Sequence, residues 1–176
     1  MSLFSSSEKP PEQIIAEEED DLAAEVWNLI ETEETDLNKL EKLEKEKPSE
    51  KDVTRAERAL ESLAIGIEKD LEKIEEDVGS VQQDEKSYDL DSNFQSAAEH
   101  NLKLLELAVK RLVEDDNNLE KWLKQIRTEE DPDEKLSEMV EVEERLKNDL
   151  EHIEHLMKNG ASKKEKGWID LQQFNP

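Results

Sequence analysis

The strongest constraint on the fold is a seven-residue hydrophobic repeat in the middle of the chain. Apolar residues recur every seven positions, at Val53, Leu60, Ile67, Ile74 and Val81. The half-heptad positions between them hold Ala56, Leu63 or Ala64, Leu71 and Val78. A 3.5-residue repeat that continues over four heptads is typical of an α-helix whose apolar seam packs as in a left-handed coiled coil.

A first helical segment precedes this repeat and covers residues 12–47. Pro48 ends it, and Ser49 followed by Asp52 predicts the N-cap of the repeat-bearing helix. Glu33 falls on the core face of the first segment and is followed by Thr35 and Asp36. The first helix is therefore expected either to run unbroken or to kink or split near this point.

Two more helical segments follow the repeat. The polar stretch after Gly79 predicts the longest internal break, with a connection over residues 82–90. Asp91 or Ser92 starts a third segment that runs to Arg127. Asp131–Pro132 starts the fourth, which ends at Asn159–Gly160.

The third segment has the widest apolar arc, so we expect it to be the most buried and to contact two or more neighbours. Asn101 and Asp115 fall on its seam. Two interpretations stay open for this pair. Either the two polar residues set the register of the bundle, or the apolar stripe shifts locally around the helix and leaves both residues at its solvent-facing edge.

These segments predict an all-α protein: an elongated four-helix bundle of antiparallel coiled-coil hairpins. The hairpins are expected at residues 12–81 and 91–160. Residues 1–11 are expected to be a disordered leader, and residues 161–176 a flexible tail with a short apolar motif. No apolar run approaches the length of a membrane span, so we expect no membrane insertion and a cytoplasmic location.

The distribution of charge is the most informative functional feature. The chain has 49 acidic and 24 basic residues, a formal net charge of −25. This balance excludes direct nucleic-acid binding through phosphate neutralisation, and binding to anionic membranes through a polybasic surface. Residues 12–36 contain 11 acidic residues and no basic one. They form either a solvated face or a docking face for a basic partner.

Sequence motifs for catalysis are not found. With no cysteine, the chain has no disulfide, thiolate metal site or thiol nucleophile. Six Glu-x-x-Glu pairs occur, as many as the 34 glutamates would produce by chance, and no Glu-x-x-His pair accompanies them. His152 and His155 point away from the apolar stripe of their helix, as does His100. We therefore expect no enzyme activity, no catalytic residue, no metal and no cofactor.

The tail carries a short apolar cluster after a lysine-rich linker. It resembles Trp-x-x-Leu docking peptides, and its members are Trp168, Ile169, Leu171 and Phe174. Either this cluster binds a partner, or Trp168 and Phe174 fold back and cover one end of the bundle.

The sequence thus predicts a non-enzymatic acidic interaction protein: a scaffold, adaptor or small assembly factor that docks a protein with a basic surface. Candidate contact residues are Glu17, Glu18, Glu19, Asp20, Asp21, Glu31, Glu33, Glu34 and the four tail residues. The helical seams also allow a homo-oligomer. One alternative is an acidic nucleic-acid mimic or chaperone for basic proteins, and another is an all-α metal-dependent hydrolase that uses helical carboxylates.

Overall fold

Four α-helices pack against one another in the computed structural model, which describes residues 9–44 and 49–160. They are α1 (Pro11–Glu44), α2 (Glu50–Ser87), α3 (Ser92–Thr128) and α4 (Pro132–Gly160). The shortest has 29 residues and the longest 38, so the helices are about 44 to 57 Å long. The prediction of an all-α, elongated four-helix bundle is confirmed. Within the described ranges, no helix has the length and apolar character needed to cross a bilayer.

Short polar motifs start the helices where the sequence predicts. The Ser49 hydroxyl accepts a hydrogen bond from the Asp52 backbone N–H, and the Asp52 carboxylate accepts one from the Ser49 N–H, which completes a capping box. Asp91 accepts a hydrogen bond from the Phe94 N–H at the start of α3. Pro132 is the first residue of α4, a position that needs no N–H donor.

The predicted break after Gly79 is wrong. Helix α2 continues through Gly79 and the polar stretch to Ser87, and only residues 88–91 connect it to α3. A glycine inside a helix costs only about 1 kcal/mol relative to alanine. Val81 and Glu85 continue the seven-residue repeat into the core, and burial of Val81 offsets that cost.

Helix α1 is a single unbroken helix through Glu33, so the split that the sequence left open does not occur. The hydroxyl of Thr35 donates a hydrogen bond to the Glu31 carbonyl oxygen one turn earlier, which satisfies the side chain within the helix. The helix begins at Pro11, inside the predicted leader. Residues 1–8 and 161–176, and the predicted end of the first segment at residues 45–48, lie outside the described residues.

Apolar residues from all four helices form the core. Helix α3 packs against each of the other three, which confirms the prediction that it contacts several neighbours. Its apolar arc is narrower than the sequence suggests, because Leu107 is 49% exposed and Trp122 is half-buried. The guanidinium carbon of Arg145 on α4 lies 5.5 Å from the Trp122 ring centroid. The largest fully buried side chains are Phe94, Ile15, Leu22, Ile30, Leu37, Leu60, Leu105, Leu112, Leu119, Ile126, Met139 and Leu150.

Candidate functional site

The eight acidic residues predicted to contact a partner lie on different sides of α1. Successive residues of an α-helix point about 100° apart, so a run of five cannot share one face. Glu19 and Glu33 are buried, at 0% and 4% exposure, and lie on the stripe that faces the core. The structure therefore removes these two from the surface that a partner could contact. The other six are exposed or half-buried: Glu17, Glu18, Asp20, Asp21, Glu31 and Glu34.

Acidic side chains face each other across the seam between α1 and α2. Burial, a hydrogen bond with Asp84 and the charge of Asp84 together raise the pKa of Glu18 to about 7. Burial and a hydrogen bond with Asp77 likewise raise the pKa of Glu25 to about 7, although the Lys73 ammonium lies 4.0 Å from the Glu25 carboxylate. Two carboxylates at hydrogen-bonding distance cannot both ionise freely, so each pair shares a proton near neutral pH.

The seam between α1 and α4 repeats this arrangement. Glu34 and Glu154 share a hydrogen bond, and this bond together with burial raises the pKa of Glu34 to about 7. Glu31 and Glu151 lie close enough to raise that pKa further through their negative charge. Helix α1 is thus flanked on two sides by carboxyl pairs that are only partly ionised at pH 7.

A carboxyl pair also lies inside the bundle. Burial and a hydrogen bond to Glu85 raise the pKa of Glu19 to about 11, so its neutral carboxyl group donates a proton to Glu85 at physiological pH. Burial raises the pKa of Glu85 as well, and Glu99 and Glu106 on α3 add to this, while the hydrogen bond from Glu19 opposes it. The hydrogen bond links α1 to α2. If Glu19 lost its proton, two negative charges would be buried together, which would lower the stability of the fold.

A second buried group of acids lies where α1, α3 and α4 meet. Burial and a hydrogen bond with Asp149 raise the pKa of Asp115 to about 8. Burial and the negative charge of Asp116 raise the pKa of Glu33 to about 8. Burial raises the pKa of Asp116 to about 6. The interpretation that Asp115 drifts to the water boundary is wrong, because Asp115 is 8% exposed; Asn101 is half-buried.

Four basic side chains lie together near the α3–α4 turn. Lys51, Arg55 and Arg58 are spaced four and three apart, so they share one face of α2. Together with Lys135 of α4 they line a cleft of about 460 Å³. The Lys135 ammonium is 3.0 Å from the Glu57 carboxylate and is mostly buried with it. Glu50 and Glu130 line the same cleft, so these bases lie among acidic residues and do not form a separate basic surface.

His152 lines the small cleft that holds Asp115 and Asp149, whereas His100 and His155 lie away from the acid clusters. His100, His152 and His155 are all exposed, as their position relative to the apolar stripes predicts. Within residues 9–44 and 49–160, no three His, Asp or Glu side chains are grouped so that they could hold a metal ion. The predicted tail residues Trp168, Ile169, Leu171 and Phe174 lie outside the described residues.

Comparison with known proteins gives no relative. No family model matches the chain. Neither the curated proteins nor the solved structures include a match.

Sequence reasoning missed three buried acids: Glu85, Asp116 and Glu143. A signal was present for each of them. Asp116 and Glu143 both follow a buried apolar residue by four positions and precede another by three, and Glu85 is seven residues after Val78. Extending each hydrophobic repeat through its polar members would have placed all three in the core.

Proposed function

We propose that the chain is a non-enzymatic interaction protein that docks a basic partner along α1, and that the carboxyl pairs at its two seams form the contact. The observation that carries this proposal is the pairing of acid with acid. Glu18, Glu25 and Glu34 each face another carboxyl group at a position where ion pairs commonly form between packed helices.

A lysine or arginine side chain is the natural third member of such a pair. An ammonium or guanidinium group between two carboxylates replaces the shared proton and removes the repulsion between the acids. Because Arg presents several donors in a fork, one guanidinium can bridge both carboxylates of a pair. Binding should therefore release protons near pH 7, where the pairs are half-protonated.

The negative charge of α1 would orient the partner before contact. Residues 12–36 carry 11 acidic and no basic residues, so this part of α1 attracts a basic surface over most of its length. Complementary fields of this kind accelerate association and are screened by salt over about 10 Å at 0.1 M. Salt should consequently slow association more than it speeds dissociation.

The test is calorimetric titration with a synthetic lysine- and arginine-rich peptide at pH 6 and pH 8. The pairs ionise as the pH rises through 7, so the wild-type affinity should rise several-fold over this range. A variant with Glu18→Gln, Glu25→Gln and Glu34→Gln should bind weakly at both pH values and show little pH dependence.

A second variant controls for net charge. Glu72, Glu76 and Glu144 are exposed, and replacing these three by Gln removes the same number of carboxylates from elsewhere on the bundle. This control should retain most of the affinity and the full pH dependence. Equal losses in the two variants would reduce the interaction to non-specific attraction by net charge and would refute the proposed contact.

A further inference from the structure

A groove of about 510 Å³ lies between α2 and α3, on a surface that the proposed function does not use. Its apolar lining comes from Val78 on α2 and from Val109 and Val113 on α3. Three glutamates, one lysine and one glutamine complete the lining: Glu75, Glu106, Glu114, Lys110 and Gln82. A volume of this size is typical of a site that accepts several side-chain-sized groups.

Gly79 forms part of the groove, about two turns before the end of α2. A Cβ atom at this position would meet no other atom within 4 Å, so packing within the described residues does not require glycine here. Glycine in a helix interior costs stability relative to alanine. Its absence of a side chain keeps the floor of the groove open, which lets a bulky group approach the helix backbone.

The end of α4 lies close to this groove. Helix α4 runs antiparallel to α3, because Asp149 and Ile153 lie beside Asp115 and Arg111 in a small cleft between the two helices. Continuing this register places Gly160 level with about residue 104 of α3. The groove begins at Glu106 on the same helix, so the chain leaves α4 at the height of the groove.

An exposed leucine lies between these two points. Glu114 lines both the groove and the α3–α4 cleft, so it lies on the outer ridge of α3. Leu107 is two turns earlier on that ridge and is 49% exposed. A segment that passes from α4 over α3 to the groove would cover this leucine.

The segment that follows α4 has the length and chemistry to reach and fill the groove. Seven residues, 161–167, separate Gly160 from Trp168 and span up to about 23 Å when extended. The path over the outer face of α3 is half the circumference of a helix, about 16 Å, which is within this reach. Lys163, Lys164 and Lys166 lie in this linker, and their positive charge is opposite to that of the glutamates at the rim.

We propose that residues 161–176 dock on their own bundle, with Trp168 seated over Gly79 in the groove between α2 and α3 and the linker crossing Leu107. The occupant is an intramolecular peptide with an apolar core and a basic linker. Docking would cover the partly buried Val78 and Val113 and the exposed Leu107.

Methyl NMR of the full-length chain tests this proposal. A tryptophan ring over the groove shifts the methyl signals of nearby valines, so Trp168→Ala should move the signals of Val78, Val109 and Val113. The signals of Val26 and Val53, which are buried elsewhere in the core, should stay in place. Unchanged signals for the three groove valines would overturn the proposal.

Gly66 provides a matched control on the same helix. A Cβ atom at Gly66 also meets no atom within 4 Å, but this residue lines a different groove, between α1 and α2. Gly79→Leu should fill the α2–α3 groove and abolish the effect of Trp168→Ala on Val109 and Val113, whereas Gly66→Leu should preserve it. Equal effects of the two leucines would reject the seat over Gly79. Valine shifts that grow with protein concentration would assign the occupant to a second copy and also reject the proposal.

Discussion

Replacing Glu33 by Gln should flatten the dependence of stability on pH. Glu33 is almost fully buried, and burial, with the negative charges of Asp116, Glu34 and Asp36, raises its pKa from an ordinary value of 4.5 to about 8. One pKa unit corresponds to about 1.4 kcal/mol, so this residue alone should remove about 3 to 4 kcal/mol of wild-type stability between pH 5 and pH 8.

Stability falls with rising pH because the folded state binds more protons than the unfolded state does. The folded state holds the Glu33 proton more tightly than the unfolded chain does, so stability is fully present below pH 4.5. It is lost as the pH rises toward 8, because the unfolded chain ionises first. Glu19 and Asp115 have raised pKa values for the same reason and act in the same direction.

Urea unfolding followed by circular dichroism at pH 5 and pH 8 measures this effect. Glu33→Gln keeps the size of the side chain and needs no proton, so the variant should match the wild type at pH 5 and exceed it at pH 8. Glu72→Gln, on the exposed face of α2, should leave the pH dependence unchanged. Stability curves of wild type and Glu33→Gln that stay parallel from pH 5 to pH 8 would refute the reasoning.

Two further predictions concern packing and helix propensity. Leu60→Asp and Leu105→Asp should each abolish the cooperative urea transition, because both side chains are fully buried and an unpaired charge there costs at least about 4 kcal/mol. A folded Leu60→Asp variant would show that water reaches position 60 of α2 and would contradict this prediction. Gly66→Ala should stabilise the protein by about 1 kcal/mol, because the added Cβ meets no neighbour. A lower melting temperature for Gly66→Ala in differential scanning calorimetry would contradict this.

Several acidic side chains lie opposite other acids at the helix seams. A purely solvated face would place its carboxylates apart and in water, where they cost least. In this bundle, Glu18, Glu25 and Glu34 are instead half-buried at helix seams opposite other acids. Acids at these positions lower the free energy of unfolding at neutral pH, and a bound cationic group would raise it again.

The sequence by itself determined the helices and their inward faces. The repeat from Val53 to Val81 predicts the buried stripe of α2, because a 3.5-residue period leaves an apolar seam on one side of a helix. Ser49, Asp91 and Pro132 mark helix starts through local hydrogen bonding, which needs no distant residue. The missed continuation of α2 past Gly79 shows the limit of such signals, since a single glycine is a weak helix breaker when its neighbours pack in the core.

Only the tertiary structure decided which acids meet. Periodicity alone places Glu19 four residues after Ile15 and three before Leu22, on the core stripe of α1. It does not say that Glu85 of α2 lies opposite, or that Asp115 of α3 faces Asp149 of α4. The pairing depends on the axial register between the packed helices, and many weak contacts along the whole bundle determine that register together. The proton affinities of these carboxyl groups, and the docking that we propose for them, follow from this alignment.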